Sequence, residues 1–214
     1  MGERGQRDNS DAERPRRAGY HHGDLRHALI EAAVTLARER GPEAVVLREV
    51  ARRTGVSPTA AYRHFADHAA LLDAVKHRAL DELAAAARAA LAGAEPGDSF
   101  TTAQARLRLL ISGYVRFALT EPGLFRIAFD RRESAPAYVG EWQSAAYRML
   151  SAVVDELFAF GQLAPDRRPN IEIAIWAAMH GLATLMVNGH LMRMPDNERE
   201  AAVARLTDMV LRGV

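Results

Sequence analysis

Leu25, Leu29, Ala32, Ala33 and Leu36 recur at steps of three and four in an otherwise polar stretch. That spacing gathers them on one stripe of an α-helix. It predicts a helix over 24–40, capped by Asp24 after Gly23 and stopped by Gly41-Pro42. The next apolar positions come in shorter groups. They predict a helix over 47–54 that Gly55 breaks, then one over 57–65 with Ser57 as cap and Pro58 at its first position. After a turn at Ala66-Asp67, the Ala- and Leu-rich run over 68–91 predicts a long helix, and 93–99 reads as a loop. Further helices are predicted over 100–120, 122–130, 136–160, 169–193 and 196–212, the last capped by Asp196. Breaks at Glu121-Pro122-Gly123, Ser134-Ala135-Pro136, 161–169 and Met194-Pro195 separate them. No run of β-branched residues between turn signals suggests a strand, and no segment repeats. The chain is expected to be all-α.

Composition narrows this further. Apolar residues make up 49% of the 214, enough for a packed core, so the chain reads as globular over most of its length. The segment 1–19 is the exception. It is polar, carries several arginines and has almost no large apolar group, so it is expected to be a disordered arm and not a secretory signal. Nothing resembles an uninterrupted apolar run of the ~18 residues that a membrane helix needs. There is no cysteine, which excludes disulfides, thiolate metal sites and cysteine nucleophiles, and a cytoplasmic setting is expected. The net charge of +1 excludes a polybasic, DNA-coating protein. Any nucleic-acid footprint must come from local placement of charge.

The richest local signal is Leu47 to Phe65, LREVARRTGVSPTAAYRHF. Val50, Ala51, Val56, Ala61 and Phe65 can face inward between two short helices joined at Gly55. Arg48, Thr59, Tyr62, Arg63 and His64 are left to project outward. That is the layout of a helix-turn-helix whose second helix enters the DNA major groove. Out of this context Tyr62 would read as a half-buried aromatic. Arg52 and Arg53, just before the turn, read as a solvated charged face.

The pattern G-x-x-x-x-x-L-R-E-V-A-R-R-T-G-V-S, followed by Tyr62-Arg63-His64-Phe65 and Leu71-Leu72, resembles the TetR family of bacterial regulators. The upstream run from Gly19 to Arg26 resembles one branch of it, which carries a Trp-His-Gly signature in its C-terminal domain. Trp176, Met179, His180, Gly181 and Leu182 stand in a fitting place. The resemblance is strong over 19–75 and weaker, but in register, over 100–193. It implies a disordered arm (1–19), a three-helix DNA-binding domain (20–67) and a helical effector-binding and dimerisation domain (68–214). It also implies that Arg48 and the start of the recognition helix, Ser57, Pro58, Thr59 and Ala60, meet the DNA. Arginine suits guanine, whose O6 and N7 take two hydrogen bonds. Tyr62, Arg63 and His64 would meet phosphates and bases, Tyr20 and His21 the backbone. His68 opens the fourth helix, where free N–H groups favour a phosphate. Two positions depart from the family. Val46-Leu47 offers no hydroxyl where a threonine or serine is common, and His68 stands where a lysine is usual.

In the C-terminal part Glu172, Trp176, His180, Thr184 and Asn188 recur every four residues. This slowly drifting stripe reads either as the lining of a ligand pocket or as a polar seam between helices. Gly181 and Gly189 fall inside the predicted helix, where each costs ~1 kcal/mol relative to alanine. Such a cost suggests close approach of another helix, including one from a second subunit. Tyr114, Phe117, Phe125, Phe129, Trp142, Tyr147 and Phe158 are core candidates. By the resemblance, Tyr114, Phe117, Phe125, Trp142, Tyr147, Trp176, His180 and Thr184 are also candidates to line the effector pocket. The family dimerises through its last two long helices, which here offer Gly181, Leu182, Leu185, Gly189, Leu206, Met209 and Val210.

Rival readings have less behind them. His21, His22, Asp24 and His27 suggest a metal site, but no HExxH or comparable spacing accompanies them, so no metal or cofactor is expected. His180 and Glu172 are two helical turns apart, ~12 Å along the axis, too far for an acid–base dyad on one helix. No nucleophile elbow or phosphate loop is visible, and enzymatic activity is not expected. The expected function is a transcriptional repressor, released from a palindromic operator when a small molecule binds. Its partners would be operator DNA, that effector and a second copy of the chain, with no membrane involved. The alternative is an architectural or activating DNA-binding protein without an effector.

Overall fold

The computed structural model describes residues 22–129, 144–161 and 165–213. Tyr20, His21, Trp142 and the arm 1–19 lie outside the described residues, as does the stretch 136–143 where the spacing starts the seventh helix. Among the described residues the secondary structure is helical throughout, with no strand.

The helices are α1 (His22–Arg40), α2 (Leu47–Arg53), α3 (Pro58–Tyr62), α4 (His68–Ala92), α5 (Phe100–Thr120), α6 (Pro122–Phe129), α7 (Ala145–Ala159), α8 (Ile171–Asn188) and α9 (Asp196–Gly213). A short helical turn, Pro42–Ala44, joins α1 to α2. The periodic stripe of α1 does what its spacing requires: Leu29, Ala33 and Leu36 are wholly buried. Side-chain caps start four of the others. Ser57, Asp67, Ser99 and Ser144 each accept a hydrogen bond from a backbone N–H three residues on. Val46 precedes α2 and supplies no such bond.

Besides α3, which ends at Tyr62 short of Phe65, α7, which starts at Ala145 behind its cap Ser144, and α8, which starts at Ile171, three boundaries differ from expectation. α1 begins at His22, so Asp24 lies within its first turn and not before it. Asp196 likewise opens α9 as a helical residue, where its carboxylate accepts from Arg199 Nη1 at 2.8 Å. The third difference is larger. α8 ends at Asn188, and the chain turns back over 189–194, with Gly189 and Leu191 both donating to the Leu185 carbonyl at 3.1 Å. Gly189 is therefore the C-cap and not a mid-helix glycine. A Cβ on it would meet Leu185 Cα at 2.9 Å and its carbonyl oxygen at 3.0 Å. The close neighbour of Gly189 is the last turn of its own helix. Gly181 does lie mid-helix, and a Cβ added there would have nothing within 4 Å of it.

α1, α2 and α3 form one small unit, closed around Leu29, Val50, Ala51, Ala61 and Phe65. α5 is the axis of the larger unit, with α4, α6, α7, α8 and α9 around it. α4 and α6 connect the two, since both also pack on α1. At the α1–α6 crossing the backbones touch. A Cβ on Gly123 would stand 2.0 Å from the Ala37 carbonyl oxygen, so only glycine fits there. Charge pairs brace the same junction. Arg38 of α1 bonds Glu82 of α4 and, at 2.8 Å, Glu121 at the head of α6. Arg78 of α4 reaches Glu31 of α1 at 3.1 Å and Glu82 at 3.2 Å. The hydrogen bond it donates to Glu121 holds the Arg38 guanidinium above its ordinary pKa against the opposing effect of burial, with the Glu82 charge adding to the rise. Such part-exposed pairs fix geometry more than they add stability.

Apart from the stripe of Glu172, His180, Thr184 and Asn188, α8 is apolar. By length and composition it could cross a bilayer, a property that core helices share. In the single chain its outer face is open: Ile173, Ala174, Ala177, Gly181 and Leu185 are all exposed.

Candidate nucleic-acid interface and effector cavity

α2 and α3 meet at Gly55, whose φ of 69° lies in the left-handed region that favours glycine. The turn lets Val56 N–H return to the Ala51 carbonyl at 3.0 Å. Ser57 then caps α3 through the Ala60 N–H at 3.2 Å. With Phe65 and Ala61 anchored in the core, the opposite face of α3 is left to solvent. Thr59, Tyr62 and Arg63 are exposed, Ala60 and His64 half-buried, and Ser57 and Pro58 exposed at the helix start. Tyr62 keeps 52% of its surface accessible, which disposes of a core role for it in this chain.

The arginines of this unit fall into two groups. Arg52 grips Glu49 with two hydrogen bonds, at 2.8 and 2.7 Å. Arg40 also approaches Glu49 at 3.5 Å, and Arg53 pairs with Glu39 at 2.5 Å. The Arg52 bonds pull the Glu49 carboxyl below its ordinary pKa. Arg48 and Arg63 are exposed and have no ion pair with any described residue. The cations with unused donors are thus the ones on the outward face, where a phosphate or a guanine could take them.

His68 sits differently from a lysine at the same place. Its ring turns inward, and Nε2 lies 2.7 Å from the Val45 carbonyl. A carbonyl only accepts, so Nε2 carries the hydrogen. The ring fastens the start of α4 to the α1–α2 connection. The anion-attracting feature left at this end is the N-terminus of α4 itself, although Asp67 already takes the Ala70 N–H at 2.8 Å.

Two neighbouring cavities are described, one within the larger unit and one where it meets the α1–α2 connection. The first is apolar, about 40 Å³, and walled by Leu80, Leu83 and Ala87 of α4, Leu110 and Tyr114 of α5, and Trp176 and Met179 of α8, among others. Its described lining bears no charge. Its polar groups are the hydroxyls of Ser144, Tyr114 and Tyr147 and the indole N–H of Trp176, with Tyr114 bonded to His180 and Ser144 capping α7. Burial, with Glu172 nearby, pushes the Tyr147 phenol up, so it stays a neutral donor. The second cavity, about 200 Å³, is lined by Pro42, Phe125, Arg126, Phe129, His180, Thr184 and Asn188. Between the two stands an aromatic cluster. Tyr114 Oη and His180 Nδ1 are 2.7 Å apart, and His180 stacks on Trp176 at 5.2 Å between centroids. The Phe129 ring centre lies 4.7 Å and the Phe125 ring centre 5.5 Å from that of His180.

Of the eight pocket candidates named from the sequence, Tyr114, Tyr147 and Trp176 line the apolar cavity, and Phe125, His180 and Thr184 the polar one. Phe117 lines neither and is a core residue. Sequence reading missed Leu80, Leu83 and Ala87, whose Ala/Leu pattern looks like any core stripe. Glu172 is no partner of His180, because its carboxylate takes Arg168 Nη1 at 2.7 Å. The candidate interface positions divide by exposure. Leu185 (44%) and Met209 (59%) are open, Gly181 is exposed, and Leu182, Gly189, Leu206 and Val210 are half-buried.

Comparison with known proteins agrees with this layout. Residues 29–75 match the model for bacterial regulatory proteins of the tetR family, and residues 107–210 match that for the tetracyclin repressor-like C-terminal domain. A solved protein of unknown function from Rhodococcus sp. RHA1 is 32% identical, with a TM-score of 0.72 over 91% of this chain and 97% of that one. The TetR family transcriptional regulator PfmR from Thermus thermophilus is 20% identical and shares the fold. Its TM-score is 0.53 over 87% of this chain and 98% of that one. A TetR transcriptional regulator from Rhodococcus sp. RHA1 shares it likewise at 22% identity, with a TM-score of 0.52 over 90% of this chain and 98% of that one. With the helix-turn-helix at its head and the helical domain behind it both matched, the chain belongs to the TetR family of DNA-binding transcriptional regulators.

Proposed function

We propose that the chain works as a dimeric, cytoplasmic repressor that leaves a palindromic operator when a small molecule enters the apolar cavity. One observation carries this reading: α4 touches both ends of the process. His68 at its start is bonded to the helix-turn-helix unit, and Leu80, Leu83 and Ala87 further along wall the cavity. The distance from residue 68 to 83 is about 22 Å of helix at 1.5 Å per residue. A rigid helix of that length converts a displacement at the cavity into a tilt of the reading head.

In this scheme 20–67 reads DNA, 68–214 binds effector and partner, and the arm 1–19 with Tyr20 and His21 lies along the backbone. Trp176, His180 and Gly181 carry the signature of the branch. Thr59, Ala60 and Arg48 meet base edges, while Tyr62, Arg63 and His64 meet phosphates and bases. The cavity is too small for a ligand as it stands, since small-molecule sites run to ~300–1,000 Å³. Binding must therefore open it, and the ligand selects the conformer with α4 displaced. Linkage then requires operator DNA to weaken effector binding by the same factor.

The second copy is expected on the outer face of α8 with α9. The face is apolar, and Gly181 leaves room there that no described residue of its own chain uses.

The DNA-reading half is tested with upstream duplex DNA in fluorescence anisotropy. Arg48→Ala is expected to cost about 1–3 kcal/mol per half-site, a fall of roughly 5- to 150-fold, with unchanged melting temperature. Tyr62→Ala should weaken binding to all sequences alike. Equal affinity of both variants and the parent chain would remove α2 and α3 from the interface.

A further inference from the structure

We infer, resting on the effector reading above, that the effector is an amphipathic acid: a flat apolar body held against α4 and an anionic head received by Arg126 in the polar cavity. At Phe129 the partition between the two cavities is a single side chain, which lines both; beside it Tyr114 of the first is bonded to His180 of the second. Phe129 is half-buried and ends α6, so its ring has somewhere to go. Turning it aside joins the smaller apolar space to the larger polar one.

The two linings differ in what they can receive. Among described residues the apolar wall offers aliphatic groups, rings and hydroxyls, but no charge to meet an ion. The polar wall offers hydrogen-bonding side chains from Thr184, Asn188 and His180, and among the described residues its formal charge is that of Arg126. A cationic head would face that guanidinium, whereas a carboxylate or sulfonate would be paired by it. When Tyr114 donates to Nδ1, the His180 hydrogen sits on Nε2, on the side of Thr184 Oγ1, 3.5 Å away. That adds a donor to the same space.

Arg126 already holds a carboxylate, and this gives the head a regulatory role. Its partner is Glu43, on the helical turn that joins α1 to α2, with a side chain 65% exposed. Exposed pairs of this kind exchange readily, because each alone contributes little. An acid entering the polar cavity takes the place of Glu43 and releases one of the ties between α6 and the DNA-reading unit. The body pushes on α4 while the head releases that turn, so one ligand acts on two of the connections between the units.

The test titrates the full-length chain with two dyes of one skeleton, 1-anilinonaphthalene-8-sulfonate and the neutral N-phenyl-1-naphthylamine. The sulfonate is expected to bind about tenfold tighter, the usual worth of a charge-assisted hydrogen bond. Arg126→Gln should abolish that preference and leave the neutral dye unaffected. Glu43→Gln, which removes the competitor and keeps Arg126, should strengthen the sulfonate severalfold. Equal binding of the two dyes, or a preference that survives Arg126→Gln, overturns the acid head and leaves the effector cavity standing. Saturable binding of neither dye overturns both.

Discussion

Gly123→Ala is expected to destabilise the protein by about 3 kcal/mol, the upper end for overpacking, and to lower Tm by roughly 6–12 °C for a chain of this size. The new methyl would lie 2.0 Å from the Ala37 carbonyl oxygen. That atom belongs to the α1 backbone, which has no rotamer to relax into. Either α6 lifts from α1, or the carbonyl tilts and strains the last turn before Arg40. The same crossing carries Arg38 and Glu121, so the brace loosens with it. Urea unfolding would show the loss as a lower midpoint. A midpoint unchanged from the parent chain would mean that α1 and α6 do not cross as described.

The second large effect concerns the outer face of α8. Gly181→Leu and Leu185→Asp are expected to give a monomer by sedimentation, with operator affinity down about a thousandfold, to the level of non-specific binding. The two substitutions reach that result by different routes. A leucine at 181 sets its Cβ where no described residue lies within 4 Å, and should raise helix propensity there. The expected damage is therefore to a neighbour from outside. Aspartate at 185 puts a charge into the apolar patch that the neighbour must cover. A dimer that persists in both variants would move the interface elsewhere.

Much of this architecture can be read from residue spacing, because helix periodicity, Gly55, Ser57-Pro58 and the capping residues are local signals. Spacing misleads where tertiary structure decides. It carries α8 on to 193, since Leu191 and Met192 keep the apolar rhythm, yet the chain turns at Gly189 and folds back on Leu185. The site divides in the same way. Exposure of Thr59, Tyr62 and Arg63 follows from burial of Ala61 and Phe65 a few positions away. The Arg52–Glu49 pair is three residues apart on one helix and follows from spacing, but the pairs of Arg53 with Glu39 and Arg40 with Glu49 cross between helices and do not. His68 has the sequence position of a phosphate contact, but its ring is bonded to Val45, twenty-three residues earlier. Leu80, Leu83 and Ala87 carry no chemical mark of a cavity wall, and only packing reveals them as one.

The central claim is that two copies of α3 read a symmetric site. Its most direct measurement is selection of bound duplexes from a randomised DNA pool by the full-length protein, followed by sequencing. The account expects enrichment of a two-fold symmetric sequence, with half-site centres about one helical turn, roughly 10 base pairs, or a multiple of it apart. Its recovery should fall in Arg48→Ala. A pool that stays unenriched after repeated rounds, or converges on an asymmetric motif, would contradict it.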